Sequence, residues 1–306
     1  MIDRRFIGHE LPRFEVEVEP GRLRFFAKAT QQADPVFFGA GHGLPLPLPP
    51  TFLFCLEMES PDPAAMRTVL GIDIAHVLHG EQHFAYHAPV QAGDRLRFAP
   101  RIADIYDKKG GALQFVVRET EVTNQHGVRV ADLRCVTVVR RPAEGGGSPS
   151  AKAAAPVKEV PAARAAAPFF DTVQVGDELP RLATEPISRL QLALYCGASG
   201  DHNPIHVDID FARRAGMDDV FAHGMLSMAT LGRLATNWAG VGALRSFGAR
   251  FAAITHVGDA ITCTGRVTEK LDGEEPCVRL ALTAADQRGE TKLAGEAVVA
   301  LPRREP

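Results

Sequence analysis

The sequence has no apolar run approaching the roughly 18 residues a helix needs to cross a bilayer. Its opening stretch, Met1 to Phe14, carries charges and Pro12 where a secretory leader would be apolar. No block of like charge occurs either. The 34 basic and 37 acidic residues leave a formal charge of −3, which favours neither nucleic acid nor an anionic membrane surface as partner. Cysteine is sparse: Cys55, Cys135, Cys196, Cys263 and Cys277 are odd in number and form no CxxC pair. Reduced thiols in a cytoplasmic core are therefore expected, not a disulfide framework. What the chain does have is core material. Over 306 residues it is 45% hydrophobic and 23% charged, the composition and length of a globular protein of about two domains.

Residues 142–168 read PAEGGGSPSAKAAAPVKEVPAARAAAP, a Gly/Pro/Ala tract with no large aromatic residue. It cannot bury enough apolar area to offset its ordering entropy, so a mobile connector is expected there. This divides the chain into residues 1–141 and 169–306, and the near-equal lengths prompt a search for duplication. Tyr195 to Asp208 (YCGASGDHNPIHVD) finds a counterpart in Phe26 to Gly39 (FAKATQQADPVFFG), with Pro204 on Pro35, Asn203 on Asp34, Asp201 on Gln32 and His206 on Phe37. Phe84 to Asp94 likewise matches Ala249 to Asp259, both ending in Gly-Asp. Two landmarks in the same order indicate one ancestral unit used twice.

Each unit has a similar layout. In the second, Ile261–Thr268, Val278–Thr283 and Gly295–Leu301 read as consecutive antiparallel strands separated by Gly and Asp turns. Before them Met225–Trp238 is apolar or small nearly all round, the pattern of an enclosed helix. In the first, Phe52–Glu59 is helical in character. Strands are expected there at Gln82–His87, Asp94–Ile105, Leu113–Thr123 and Arg129–Val139. A buried helix followed by strands, without βαβ alternation, makes the fold class α+β.

Two clusters can carry chemistry. Gly200-Asp-His-Asn-Pro-Ile-His206 places a carboxylate, an amide and imidazoles within seven residues, on a loop stiffened by Pro204. Aimed at one point, Asp201 and His206 can hold and deprotonate a water molecule. The same spelling also suits a capped helix start, with Asp201 or Asn203 as cap and Pro204 as first residue. The second cluster, Ala222-His-Gly-Met225, opens the enclosed helix. Free N–H groups there, with Gly224 permitting close approach, suit a carbonyl oxygen gaining negative charge. Tight packing would equally call for that glycine. His76, His79, His83 and His87 suggest a metal, but no carboxylate or Cys joins them at ligand spacing, so no metal is expected. Arg213 and Arg214 can meet coenzyme A phosphates or simply face solvent.

Together, Ser199-Gly-Asp-x-Asn-Pro-x-His206 and the His223-Gly224 that follows resemble the signature of the (R)-specific enoyl-CoA hydratases, the MaoC-like dehydratases. The resemblance is sharp over about 170–300, and residues 1–141 resemble the degenerate N-terminal unit of the double-hotdog members. It implies two hotdog folds in tandem, each an antiparallel sheet wrapped round a long helix, forming a pseudo-dimer. Asp201 and His206 match the catalytic pair that activates water for addition to a trans-2-enoyl thioester. Asn203 matches the amide that positions the water or supports the pair, and Gly224 the backbone N–H that polarises the thioester carbonyl. His223 and Met225, on either side, are the implied substrate contacts. No cofactor is implied beyond the coenzyme A of the substrate, and acyl carrier protein is an alternative carrier. A homodimer of such chains remains open.

The first unit departs at these positions. Gln32 cannot act as a base, Phe37 does not titrate, and Pro49-Pro50-Thr51 stands where the other has Ala222-His223-Gly224. One active site per chain is expected, with Phe37 to Pro50 a candidate lining of the acyl pocket or a surface loop. A hotdog thioesterase and a non-catalytic acyl-CoA-binding subunit are the competing readings.

Overall fold

A computed structural model describes residues 2–38, 46–108, 110, 113–140 and 167–304. The connector tract lies almost wholly outside them, as does the middle of the Phe37 to Pro50 stretch. The first half supplies β1 (Phe14–Glu17), β2 (Val77–Tyr86), β3 (Arg95–Lys108), β4 (Leu113–Asn124) and β5 (Arg129–Arg140). The second supplies β6 (Leu182–Ala183), β7 (Leu244–Phe251), β8 (Thr262–Leu271), β9 (Cys277–Ala285) and β10 (Thr291–Ala300). All ten join one antiparallel sheet in the order β1-β3-β4-β5-β2-β7-β10-β9-β8-β6. The second five mirror the first five about the β2–β7 seam, which is the double-hotdog arrangement.

The helices are α1 (Pro20–Ala29), α2 (Phe52–Glu57), α3 (Ala65–Leu70), α4 (Arg189–Ser199), α5 (Ile209–Arg214) and α6 (Gly224–Ala239). The sheet curls round α6, which packs on β7, β8, β9 and β10. Met225 through Thr236 are buried without interruption, as expected of a helix apolar on every side. Leu231 on α6, Leu280 on β9 and Val299 on β10 are fully enclosed, and each such side chain stabilises the fold by roughly 1.5–3 kcal/mol. The first half departs here. Its counterpart helix α2 ends at Glu57, short of the expected Glu59, and a separate short helix, α3, follows.

Duplication appears bond for bond. Gly93 and Gly258 both take left-handed φ, 91° and 89°, a conformation that favours glycine. Asp94 Oδ2 accepts the Gln91 N–H at 2.9 Å, and Asp259 Oδ2 accepts the His256 N–H at 2.8 Å. Asp34 Oδ1 accepts the Val36 N–H at 3.0 Å, as Asn203 Oδ1 accepts that of Ile205 at 3.3 Å. A 3-10 turn follows each, Pro35–Phe38 and Pro204–His206.

At the seam Phe84 pairs with Phe247, His83 with Gly248 and Gln82 with Ala249. The Phe84/Ala249 alignment of the sequence makes Gly248 the counterpart of His83. A pseudo-two-fold axis therefore passes where His83 meets its own equivalent. From the seam's other side Arg233, buried on α6, donates to Thr30 O at 2.6 Å and to Gln31 O, at the end of α1.

Candidate functional site

Helix α4 starts on Ser188, whose side chain accepts the Gln191 N–H, and stops at Gly200, which adopts φ 73°. That left-handed stop releases the chain directly into Asp201. A Cβ on Gly200 would lie 3.3 Å from Met58 Cβ, so the motif loop rests against the end of α2. Asp201 is half-buried, and its Oδ1 accepts the Asn203 N–H at a long 3.4 Å. Asn203 caps the 3-10 turn through its amide oxygen, and Pro204 takes the first position. The helix-start reading of this loop is thus realised in a single turn, and it is this turn that carries His206 inward. The Asn203 oxygen is occupied by the cap, which leaves its NH2 group for any water.

His206 Nδ1 lies 2.8 Å from Phe221 O. A carbonyl only accepts, so Nδ1 carries the proton and Nε2 offers a lone pair. Burial pulls the His206 pKa below its ordinary value, against the opposing pull of Asp201. The ring is therefore a neutral base at neutral pH. His223, the residue before α6, stands 4.0 Å ring to ring from His206 and donates Nε2–H to Asp201 O at 3.1 Å. It braces the motif loop against the helix start. Burial, with the nearby His206, pulls its pKa down to about 4. Its Nδ1 and the Tyr195 hydroxyl are both buried without a hydrogen-bond partner among the described residues, and the rings lie 5.1 Å apart.

Asp201, His206 and His223 each offer one ligand-capable atom, all within 4.8 Å of one another. A carboxylate with two neutral imidazoles can take up a proton, hold a water, or ligate a metal ion. Gly224 opens α6 beside them, and a Cβ there would meet the Phe251 ring at 2.9 Å. The packing reason for this glycine is therefore present, and so is the helix start with its free N–H groups. Met225, one residue on, is buried in the core.

The sequence undervalued one residue. His79 on β2 packs at a tilt against the rings of Phe251, 4.7 Å away, and Phe54, 5.7 Å away, and it feels the Asp201 charge. It comes from the half expected to be inert. The four histidines do not converge. His83 meets Glu81 at 3.2 Å, His87 meets Asp132 at 2.7 Å, His76 meets Asp73 at 3.8 Å, and His79 meets Cys135. Carboxylates and a Cys do approach them, but singly: Asp73 and Glu81 are near neighbours in sequence of His76 and His83, whereas Asp132 and Cys135 come from β5, a pairing that local spacing does not register. His87 lies just beyond β2, one residue past the end of the strand expected to include it. Arg213 and Arg214 are exposed on α5. In the first half, Phe37 is fully buried and the Gln32 amide oxygen accepts the N–H groups of Ala33 and Asp34. A concavity of about 760 Å3 lies over strands β2 to β5 and crosses the seam to β7 and β10; it is lined by paired charges such as Arg101 and Glu119, and contains no motif residue.

Comparison with known proteins bears on both halves. Residues 5–133 match the family model of a FAS1-like dehydratase domain region, and residues 169–287 match that of a MaoC-like domain. A UPF0336 protein of Saccharopolyspora erythraea is 35% identical over 149 residues, 47% of this chain and 94% of that protein. The 3-hydroxyacyl-thioester dehydratase Y of Mycobacterium tuberculosis is 30% identical over 193 residues, 61% of each chain. The solved structure of a MaoC-like dehydratase superposes with a TM-score of 0.79 at 26% identity, covering 98% of this chain and 99% of its own.

Proposed function

Since the chain belongs to the MaoC-like dehydratases, with a FAS1-like dehydratase region ahead of its MaoC-like domain, we propose that it reversibly hydrates trans-2-enoyl thioesters to (R)-3-hydroxyacyl thioesters. The observation that carries this reading is the meeting of Asp201 and His206 at the start of α6.

A water held between the Asp201 carboxylate and His206 Nε2 gives up a proton as its oxygen bonds to the β-carbon of the enoyl group. The alkene electron pair moves toward the thioester, and its oxygen gathers charge opposite the Gly224 N–H. Preorganised donors of this kind typically contribute 10²–10³-fold. The captured proton then passes to the α-carbon. In the reverse direction the same groups dehydrate a 3-hydroxyacyl thioester. Coenzyme A or acyl carrier protein carries the acyl group, and the thioester already acidifies the α-carbon, so the reading calls for no further cofactor.

The test is the ultraviolet absorbance of crotonyl-CoA mixed with pure protein, with a thiol reagent in parallel. Loss of the conjugated enoyl band without thiol release is expected, followed by chiral analysis showing the (R) product. Thiol release would make the protein a thioesterase. Silence toward crotonyl-, longer, branched and dicarboxylic enoyl-CoA alike would make it a binder. Asp201→Asn is expected to lower turnover by about 10²–10⁴-fold with unchanged circular dichroism, and retained turnover would reject the assignment.

A further inference from the structure

Four of the five cysteines are kept as protonated thiols. Burial pushes Cys263 up to about 12, and it raises Cys55, Cys196 and Cys277 as well. Cys135 differs. Burial pushes its thiol up too, but the His79 charge and hydrogen bond, together with Arg118, outweigh that and leave it below its ordinary value.

The geometry explains the exception. Cys135 lies on β5 with Sγ 3.4 Å from His79 Nε2 on the neighbouring β2 and 3.9 Å from Thr137 Oγ1. The same Nε2 sits 3.1 Å from Gln82 Oε1. The Gln82 amide nitrogen faces His83 O at 3.4 Å, which orients the amide with its oxygen toward His79. An amide oxygen only accepts, so Nε2 carries a proton that it also presents to the sulfur. His79 in turn is raised, against burial, by Cys135 and Asp201, with Arg118 opposing. Arg118 is itself held by Glu57 at 2.6 Å, so its charge is offset. A thiol placed against an imidazolium is the arrangement that favours the reactive thiolate.

We propose that Cys135 and His79 form an activated thiol on the wall of the candidate site, a modification site for soft electrophiles such as α,β-unsaturated carbonyl compounds. The hydration chemistry uses neither residue, and both belong to the half without the Asp/His pair. Their place is next to that chemistry all the same, because the His79 ring packs against Phe251 at 4.7 Å and Phe251 fills the space against Gly224. In the addition, the Cys135 sulfur bonds to the β-carbon, the alkene pair moves to the α-carbon, and the proton from His79 Nε2 completes the saturated adduct.

The experiment uses the whole protein and is independent of any hydratase activity. Native protein is treated with N-ethylmaleimide over a pH series, quenched and digested, and the labelling rate of each cysteine is read by mass spectrometry. Cys135 is expected to react at least about tenfold faster at neutral pH than the other four, with a rate that persists on the acid side of an ordinary thiol. In His79→Gln its rate should fall about tenfold and its profile should move to alkaline pH. If Cys135 labels no faster than Cys196, the least buried of the five, or if His79→Gln leaves its rate unchanged, the proposal fails. Should that variant not fold, the wild-type profile decides: labelling of Cys135 that rises only near the ordinary thiol pKa overturns the proposal.

Discussion

His206 and His223 each commit one ring nitrogen to a backbone carbonyl, of Phe221 and Asp201 respectively. Each ring is thereby held in one tautomer, and burial keeps both neutral. This has a consequence for stability. The unfolded chain protonates His223 near its ordinary value of 6.5, whereas the folded chain does so only at about 4. Between those values the unfolded state binds more protons, so its share of stability is complete above the first and drains away as pH falls toward the second. For His223 the loss is on the order of 3 kcal/mol. Urea unfolding at pH 7 and near pH 4.5 should therefore show a larger drop for the wild type than for His223→Asn, and parallel losses would contradict it. Asp201, His206 and Gly224 were legible in sequence because they lie within two short motifs. His79 was not. Its partners Cys135, Phe54 and Phe251 come from β5, α2 and β7, and no local pattern signals contacts made across strands.

Strands with one face on the core could be read from alternation. Leu113–Asn124 and Cys277–Ala285 differ from expectation only at their ends. β7 gave no such signal, since LRSFGARF sits at the seam between two neighbouring strands and mixes charges with Gly and Phe. α1 and α4 lie outside the elements expected from alternation, although their ends are marked in the sequence. Pro20 opens α1, with Leu23, Phe26 and Ala27 buried along one face. Ser188 caps α4, and Gly200 ends it. The start of α6 is the element on which the proposed chemistry turns. Gly224→Ala would place a methyl group 2.9 Å from the Phe251 ring and beside the N–H offered to the carbonyl. Turnover of the enoyl thioester is expected to fall by about 10²-fold with the sheet intact by circular dichroism. A variant as active as the wild type would remove Gly224 from the carbonyl site.

The molecule is held as one body across its two halves. β2 pairs with β7 to make the sheet continuous, and Arg233 reaches from α6 to the carbonyls that end α1. Duplication was visible in the two sequence landmarks, but the seam was not, because alignment relates a residue to its counterpart without saying where the two halves touch. The register supplies that link. Near a two-fold axis, counterparts face each other, and two full side chains at that point would compete for one space. Here the conflict is resolved by asymmetry, with His83 on one side and Gly248 on the other. A Cβ on Gly248 would lie 2.2 Å from His83 Nδ1, so the imidazole occupies the volume its counterpart gives up. Gly248→Ala should consequently destabilise the protein by about 1–3 kcal/mol through overpacking. In a His83→Ala background the same substitution should cost markedly less, since the clashing ring is gone. A double-mutant cycle by urea denaturation would read that coupling directly. Additive effects of the two substitutions would mean that the seam does not depend on this exchange of volume.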